Sequence, residues 1–101
     1  MKVIYTNQSL NSLEELIEFL KEKQGIPVTK INALIKNLLD KADHLKENPL
    51  KGQTEEYLSH LGLDHRRLIE GYIKILYRTI DDSVYITDFF DTRQDPKKMK
   101  G

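Results

Sequence analysis

The side chains best suited to chemistry lie between His65 and Arg93. His65 and Arg67 are two positions apart in a β-prone run, so they share a face, and Lys74 and Arg78 share a face in the next run. If those faces coincide, they form a basic patch bordered by Arg93. Such a patch suits a phosphate backbone or a scissile phosphate. Metal-independent RNA cleavage needs a base for the 2′-hydroxyl, an acid for the leaving oxygen and cations for the phosphate. His65 is the acid–base candidate, because only imidazole titrates near neutrality unperturbed. Arg67, Lys74 and Arg93 would then stabilise the phosphate. The competing reading is a solvated sheet face whose cations pair with Glu70, Asp88 and Asp91.

Other chemistries find less support. His44, His60 and His65 do not have the spacing of a helical zinc motif and read as isolated surface histidines. With no cysteine there is neither a disulfide nor a thiolate metal site. No glycine-rich phosphate loop follows a strand, and no Gly-x-Ser-x-Gly elbow occurs. Neither a metal nor a cofactor is expected.

The elements that must position these residues follow from periodicity. Lys2 to Thr6 reads as a short strand. Asn7, Ser9 and Ser12 offer helix N-caps, Ser12 with Glu15 in capping-box spacing. Leu10, Leu13, Leu16, Ile17 and Leu20 form an apolar helical stripe. Gly25 stops that helix, and Pro27 opens a second from about Val28 to Lys46, with Ile31, Leu34, Ile35, Leu38, Ala42 and Leu45 as its stripe. The short connection makes the helices antiparallel neighbours. Asn48-Pro49 ends the pair. Leu50 to Leu63 reads as a polar loop anchored by Tyr57, Leu58 and Leu61. Three β-rich runs follow, Arg66 to Glu70, Tyr72 to Ile80 and Ser83 to Phe90, turning at Gly71 and at Asp81-Asp82. In the middle run Ile73, Ile75 and Tyr77 should meet the helices, leaving Lys74, Leu76 and Arg78 on the other face. The expected class is α+β: an N-terminal strand, a helical hairpin and a three-stranded antiparallel meander, with the helices on one face.

A length of 101 residues suits one domain, 1–101, and the 39% apolar and 32% charged fractions suit a folded protein. Sixteen Lys and Arg balance sixteen Asp and Glu, a neutrality that weighs against free-standing nucleic-acid binding. No apolar stretch is long enough to span a membrane, and Met1 to Asn7 is too short for a signal peptide. A cytoplasmic location is expected.

The stretch from His65-Arg66-Arg67 through Gly71-Tyr72 to Leu76-Tyr77-Arg78 resembles the central hairpin of RelE/ParE toxins. Val84-Tyr85-Ile86, Arg93-Gln94-Asp95-Pro96 and Asn48-Pro49 followed by Gly52 are also similar to that family, as is the order strand, two helices, three strands. The resemblance implies a plasmid-stabilisation type of growth inhibitor, neutralised by a cognate antitoxin. RelE-like members cut mRNA on the ribosome with a basic sheet cluster and no metal; ParE-like members poison DNA gyrase. By position, His65 and Arg67 fall near catalytic basic positions, and Arg93 near the arginine after the last strand. Lys74 stands where the nucleases carry arginine, and lacks the guanidinium fork that grips a phosphate. Asp91 stands where many carry histidine. Up to Gly101 there is no further helix supplying an aromatic residue. The expectation is therefore ParE-like action on gyrase ahead of ribosome-dependent mRNA cleavage, with an inactive relative serving as a binding module as a third reading.

Overall fold

A computed structural model describes all residues from Met1 to Gly101. The strands β1 (Lys2–Tyr5), β2 (Gln53–Thr54), β3 (Arg66–Glu70), β4 (Ile73–Ile80) and β5 (Ser83–Asp91) form one sheet in the order β1-β5-β4-β3-β2. β3, β4 and β5 are the expected antiparallel meander, while β1 joins β5 in parallel. The turns use Gly71 at φ 58° and Asp81 at φ 52°, the left-handed region that Gly and Asp tolerate best.

The helices α1 (Asn7–Glu18) and α2 (Val28–Asp43) pack on one face. Leu16, Leu20, Ile31, Leu38, Ala42 and Leu45 meet Ile73, Ile75, Tyr77, Val84, Ile86 and Phe89 in the main core. α1 starts earlier than the sequence suggests. Thr6, still extended at the end of β1, caps it by accepting from the Ser9 N–H at 3.0 Å, so none of Asn7, Ser9 and Ser12 is the cap. Ser9 and Ser12 are instead buried, whereas Leu10 is exposed. Small side chains let the first turns of α1 approach β5 closely, which rotates the inward face away from Leu10. The helix then widens into a π-turn over Phe19–Lys23, closed by Gln24 N–H to Phe19 O at 3.1 Å. α2 tightens into a 3-10 turn over His44–Lys46, within the expected span.

The segment Leu50 to Leu63 is not a plain loop. Gln53 and Thr54 add β2 beside Arg67 and Arg66, and Glu56–Leu61 forms a 3-10 helix. Of the three expected anchors only Leu58 is buried, while Tyr57 and Leu61 are exposed. Leu58 joins Leu76, Phe90 and Met99 in a second apolar cluster on the face opposite the helices. The segment after the 3-10 turn Pro96–Lys98 completes that cover. It is held by Lys100 N–H to Asp88 Oδ2 at 2.9 Å and by Thr87 Oγ1 to Lys100 O at 3.3 Å.

Candidate functional site

Arg67 pairs across the ladder with Leu76, and Ile69 with Lys74, so the anticipated faces do coincide. Arg67, Lys74, Arg78 and the His65 ring all belong to the outer face of the sheet. That face is not an open basic patch.

Lys74 Nζ donates to Glu55 Oε1 at 2.6 Å, and Arg67 Nη1 lies 3.7 Å from the same oxygen. The Arg67 guanidinium also donates to Thr54 O at 2.6 Å and Gln53 Oε1 at 3.1 Å. Glu55 is only 3% exposed, and its Oε2 accepts from the Tyr57 N–H at 3.1 Å, which caps the 3-10 helix. A buried carboxylate thus holds the two cations that sequence reasoning assigned to phosphate. The anions expected to pair with them are engaged elsewhere: Glu70 with Lys41 at 2.8 Å, Asp91 with Arg93 at 2.7 Å, and Asp88 with the backbone of Lys100. Sequence reasoning missed Glu55 because its segment has no readable period; a two-residue strand shows no alternation.

His65 is not a surface histidine. It is 2% exposed, and neither ring nitrogen has a hydrogen-bond partner. Burial, and then the Arg78 charge, hold its pKa below the usual imidazole value, against a smaller opposing pull from Asp64. A neutral ring without solvent access is poorly placed to pass protons. His44 and His60 lie near the surface, and each donates from Nδ1 to a backbone carbonyl, Asp40 O at 2.7 Å and Tyr57 O at 3.1 Å. The histidines do not gather with other acidic side chains into a set of three ligands.

Arg93 belongs to another neighbourhood. Its Nε and Nη2 grip Asp91 at 3.0 and 2.7 Å, and its Nη1 donates to Gln24 Oε1 at 3.1 Å. Its Cζ lies 4.4 Å from the Tyr72 ring centroid and 6.0 Å from that of Phe19. The paired Asp91 carboxylate raises the already high pKa of this guanidinium. The π-turn brings Phe19 and Gln24 to this point, beside a groove of about 290 Å³ lined by Leu20, Ile26, Leu34 and Tyr72. The structure therefore brings Arg67 and Lys74 together, sets His65 just ahead of β3 beneath cover, and leaves Arg93 among residues of the helical hairpin.

A larger cavity of about 490 Å³ lies between α1, the end of β5 and the segment Lys97–Lys100. Asp88, 3% exposed, lines it, and burial pushes its carboxyl above the ordinary value despite the nearby Ser12 hydroxyl and Lys100. No helix is long and apolar enough to cross a membrane.

Comparison with known proteins agrees with this architecture. Residues 3–96 match the family model described as the ParE toxin of the type II toxin–antitoxin system parDE. A stretch of 91 residues is also 33% identical to DNA polymerase subunit gamma-2 of Bos taurus, covering 90% of this chain. The chain spans only 17% of the length of that curated relative. The family match extends from β1 past the end of the meander, and the strand–hairpin–meander order agrees with it: this chain belongs to the family of ParE toxins of type II toxin–antitoxin systems.

Proposed function

We propose that this toxin inhibits growth by binding a protein target, DNA gyrase, and not by cutting ribosome-bound mRNA. One observation carries the reading: the buried Glu55 carboxylate occupies Lys74 and Arg67, the cations a nuclease would turn toward the scissile phosphate. A phosphodiester would have to displace a carboxylate that is already desolvated and hydrogen-bonded, and then compete with it for both cations. The other members of the nuclease set add to this. His65 is buried and neutral-leaning, and Arg93 is committed to Asp91 beside the helical hairpin. Zero net charge supplies no long-range attraction to a polyanion. The cognate antitoxin is the partner that keeps such a toxin in check, and its binding should raise the toxin's stability by mass action.

The test uses Arg67→Ala and Lys74→Ala, each confirmed as folded, in cells lacking the antitoxin. Retained toxicity without transcript cleavage supports the protein-target reading. Loss of both toxicity and mRNA cleavage in both variants identifies a RelE-like nuclease. A parent chain that is not toxic at all identifies an inactive relative acting as a binding module.

A further inference from the structure

The cavity of about 490 Å³ between α1, the end of β5 and the segment Lys97–Lys100 lies apart from the cations around Glu55, and its lining is chemically divided. Its inner polar groups are Ser12 of α1 and Asp88 of β5, 5% and 3% exposed. Ser12 Oγ has no hydrogen-bond partner, although it lies near enough to Asp88 to oppose the rise in that carboxyl's pKa. Asp88 Oδ2 accepts from the Lys100 N–H at 2.9 Å. Leu16, Phe90 and Met99 add apolar surface. The remaining wall is cationic. Lys97 and Lys98 are exposed and enter none of the chain's ion pairs, and Lys100 Nζ meets only Glu15, at 4.0 Å.

A buried hydroxyl without a partner is costly and rarely left so. A carboxylate only accepts, whereas a hydroxyl can donate, so Asp88 and Ser12 together offer an acceptor beside a donor. The matching ligand edge carries a donor beside an acceptor. Every nucleobase has one, an N–H next to a ring nitrogen or a carbonyl oxygen. A simple cation would suit Asp88 but would sit among three lysines. A simple oxyanion would suit the lysines but would leave Asp88 facing another acceptor. A nucleotide answers both halves, with a base edge for the inner groups and a phosphate for the ammonium groups. The volume falls within the range of roughly 300–1,000 Å³ usual for small-ligand sites.

We infer that this cavity binds a free nucleotide, its base edge on Ser12 and Asp88 and its phosphate at Lys97 and Lys98. The inference is independent of whether gyrase or mRNA is the toxin's target, because none of these residues belongs to the cluster around Glu55.

The test is a set of calorimetric titrations of the intact chain with AMP, adenosine, ribose 5-phosphate and a short oligoadenylate, at matched ionic strength. AMP should bind saturably and more tightly than either half alone. Two variants assign the halves. Ser12→Ala removes a hydroxyl that has no partner, so its melting temperature should equal or exceed the parent's. It should weaken AMP about threefold to tenfold, the worth of one hydrogen bond, and leave ribose 5-phosphate unchanged. Replacing Lys97 and Lys98 together by Ala breaks no ion pair of the folded chain. It should weaken AMP and ribose 5-phosphate and leave adenosine unchanged. No saturable binding of AMP, or AMP affinity untouched by Ser12→Ala, overturns the site. Ribose 5-phosphate binding as tightly as AMP overturns the base half and leaves a surface that holds anions only. An oligoadenylate binding more than about tenfold tighter than AMP at physiological salt overturns the free nucleotide in favour of nucleic acid.

Discussion

Replacing Glu55 by Gln should destabilise the fold far more than loss of a surface ion pair. The carboxylate is 3% exposed, while the Lys74 and Arg67 side chains facing it are 20% and 17% exposed. Removing one partner of a fully buried pair costs about 3–5 kcal/mol, and a surface pair contributes about 1 kcal/mol or less. The cations here can partly regain water, so roughly 2 kcal/mol is the expected loss. For a domain of this size that lowers the melting temperature by about 8–16 °C. Glutamine keeps an acceptor for the Tyr57 N–H, so the loss reports charge more than capping. Thermal unfolding followed by circular dichroism measures it. A double-mutant cycle with Lys74→Met isolates the pair and should give a coupling of about 1–2 kcal/mol. A shift under about 2 °C, or a coupling near zero, refutes the idea that Glu55 holds these cations in solution.

Leu38 is 0% exposed at the centre of the main core, so Leu38→Ala should cost about 2–5 kcal/mol in chemical denaturation. A Cβ on Gly52 would fall 2.5 Å from the Arg67 carbonyl and 2.6 Å from Tyr77 Oη, while the Gly52 N–H donates to that same hydroxyl. Gly52→Ala should therefore lose about 1–3 kcal/mol and loosen β2, seen as faster amide exchange at Gln53 and Thr54. Asp88 gives a pH signature. Burial raises its carboxyl above the ordinary 3.8, so the folded state binds the proton more tightly, and its contribution to stability falls as pH rises through and above that value. Asp88→Asn removes the falling term. Melting temperatures of parent and variant compared at several pH values should show the variant gaining on the parent from about pH 3 to pH 7; a gap independent of pH contradicts the assignment.

Much of the fold is legible in the sequence because burial on one face imposes a period. The stripes of α1 and α2 and the alternation Ile73, Ile75, Tyr77 each point to the core they form. The turns at Gly71 and Asp81 are legible because few residues adopt positive φ. Where the period lapses, so does the reading. α1 meets β5 through Ser9 and Ser12, which are small and polar, and the apolar pattern therefore misplaced Leu10. The basic residues of the site were legible by type and face, but not by partner. Glu55 reaches Lys74 across a chain separation of 19 residues, from a segment whose own structure is two strand residues and a 3-10 turn. Arg93 was legible as the cation after the last strand, yet its destination depends on a π-turn that no local pattern announces.

A sheet face whose cations are held by Glu55 is expected to leave ribosome-bound mRNA uncut, so toxicity should pass through a protein target. Induced expression of the toxin without antitoxin, read out in the same cells by transcript-end mapping and by a DNA-damage reporter, tests it most directly. The damage response should be induced with transcript ends unchanged. Ribosome-dependent mRNA cleavage by the parent chain, with no damage response and with cleavage lost in Arg67→Ala and Lys74→Ala, would contradict it.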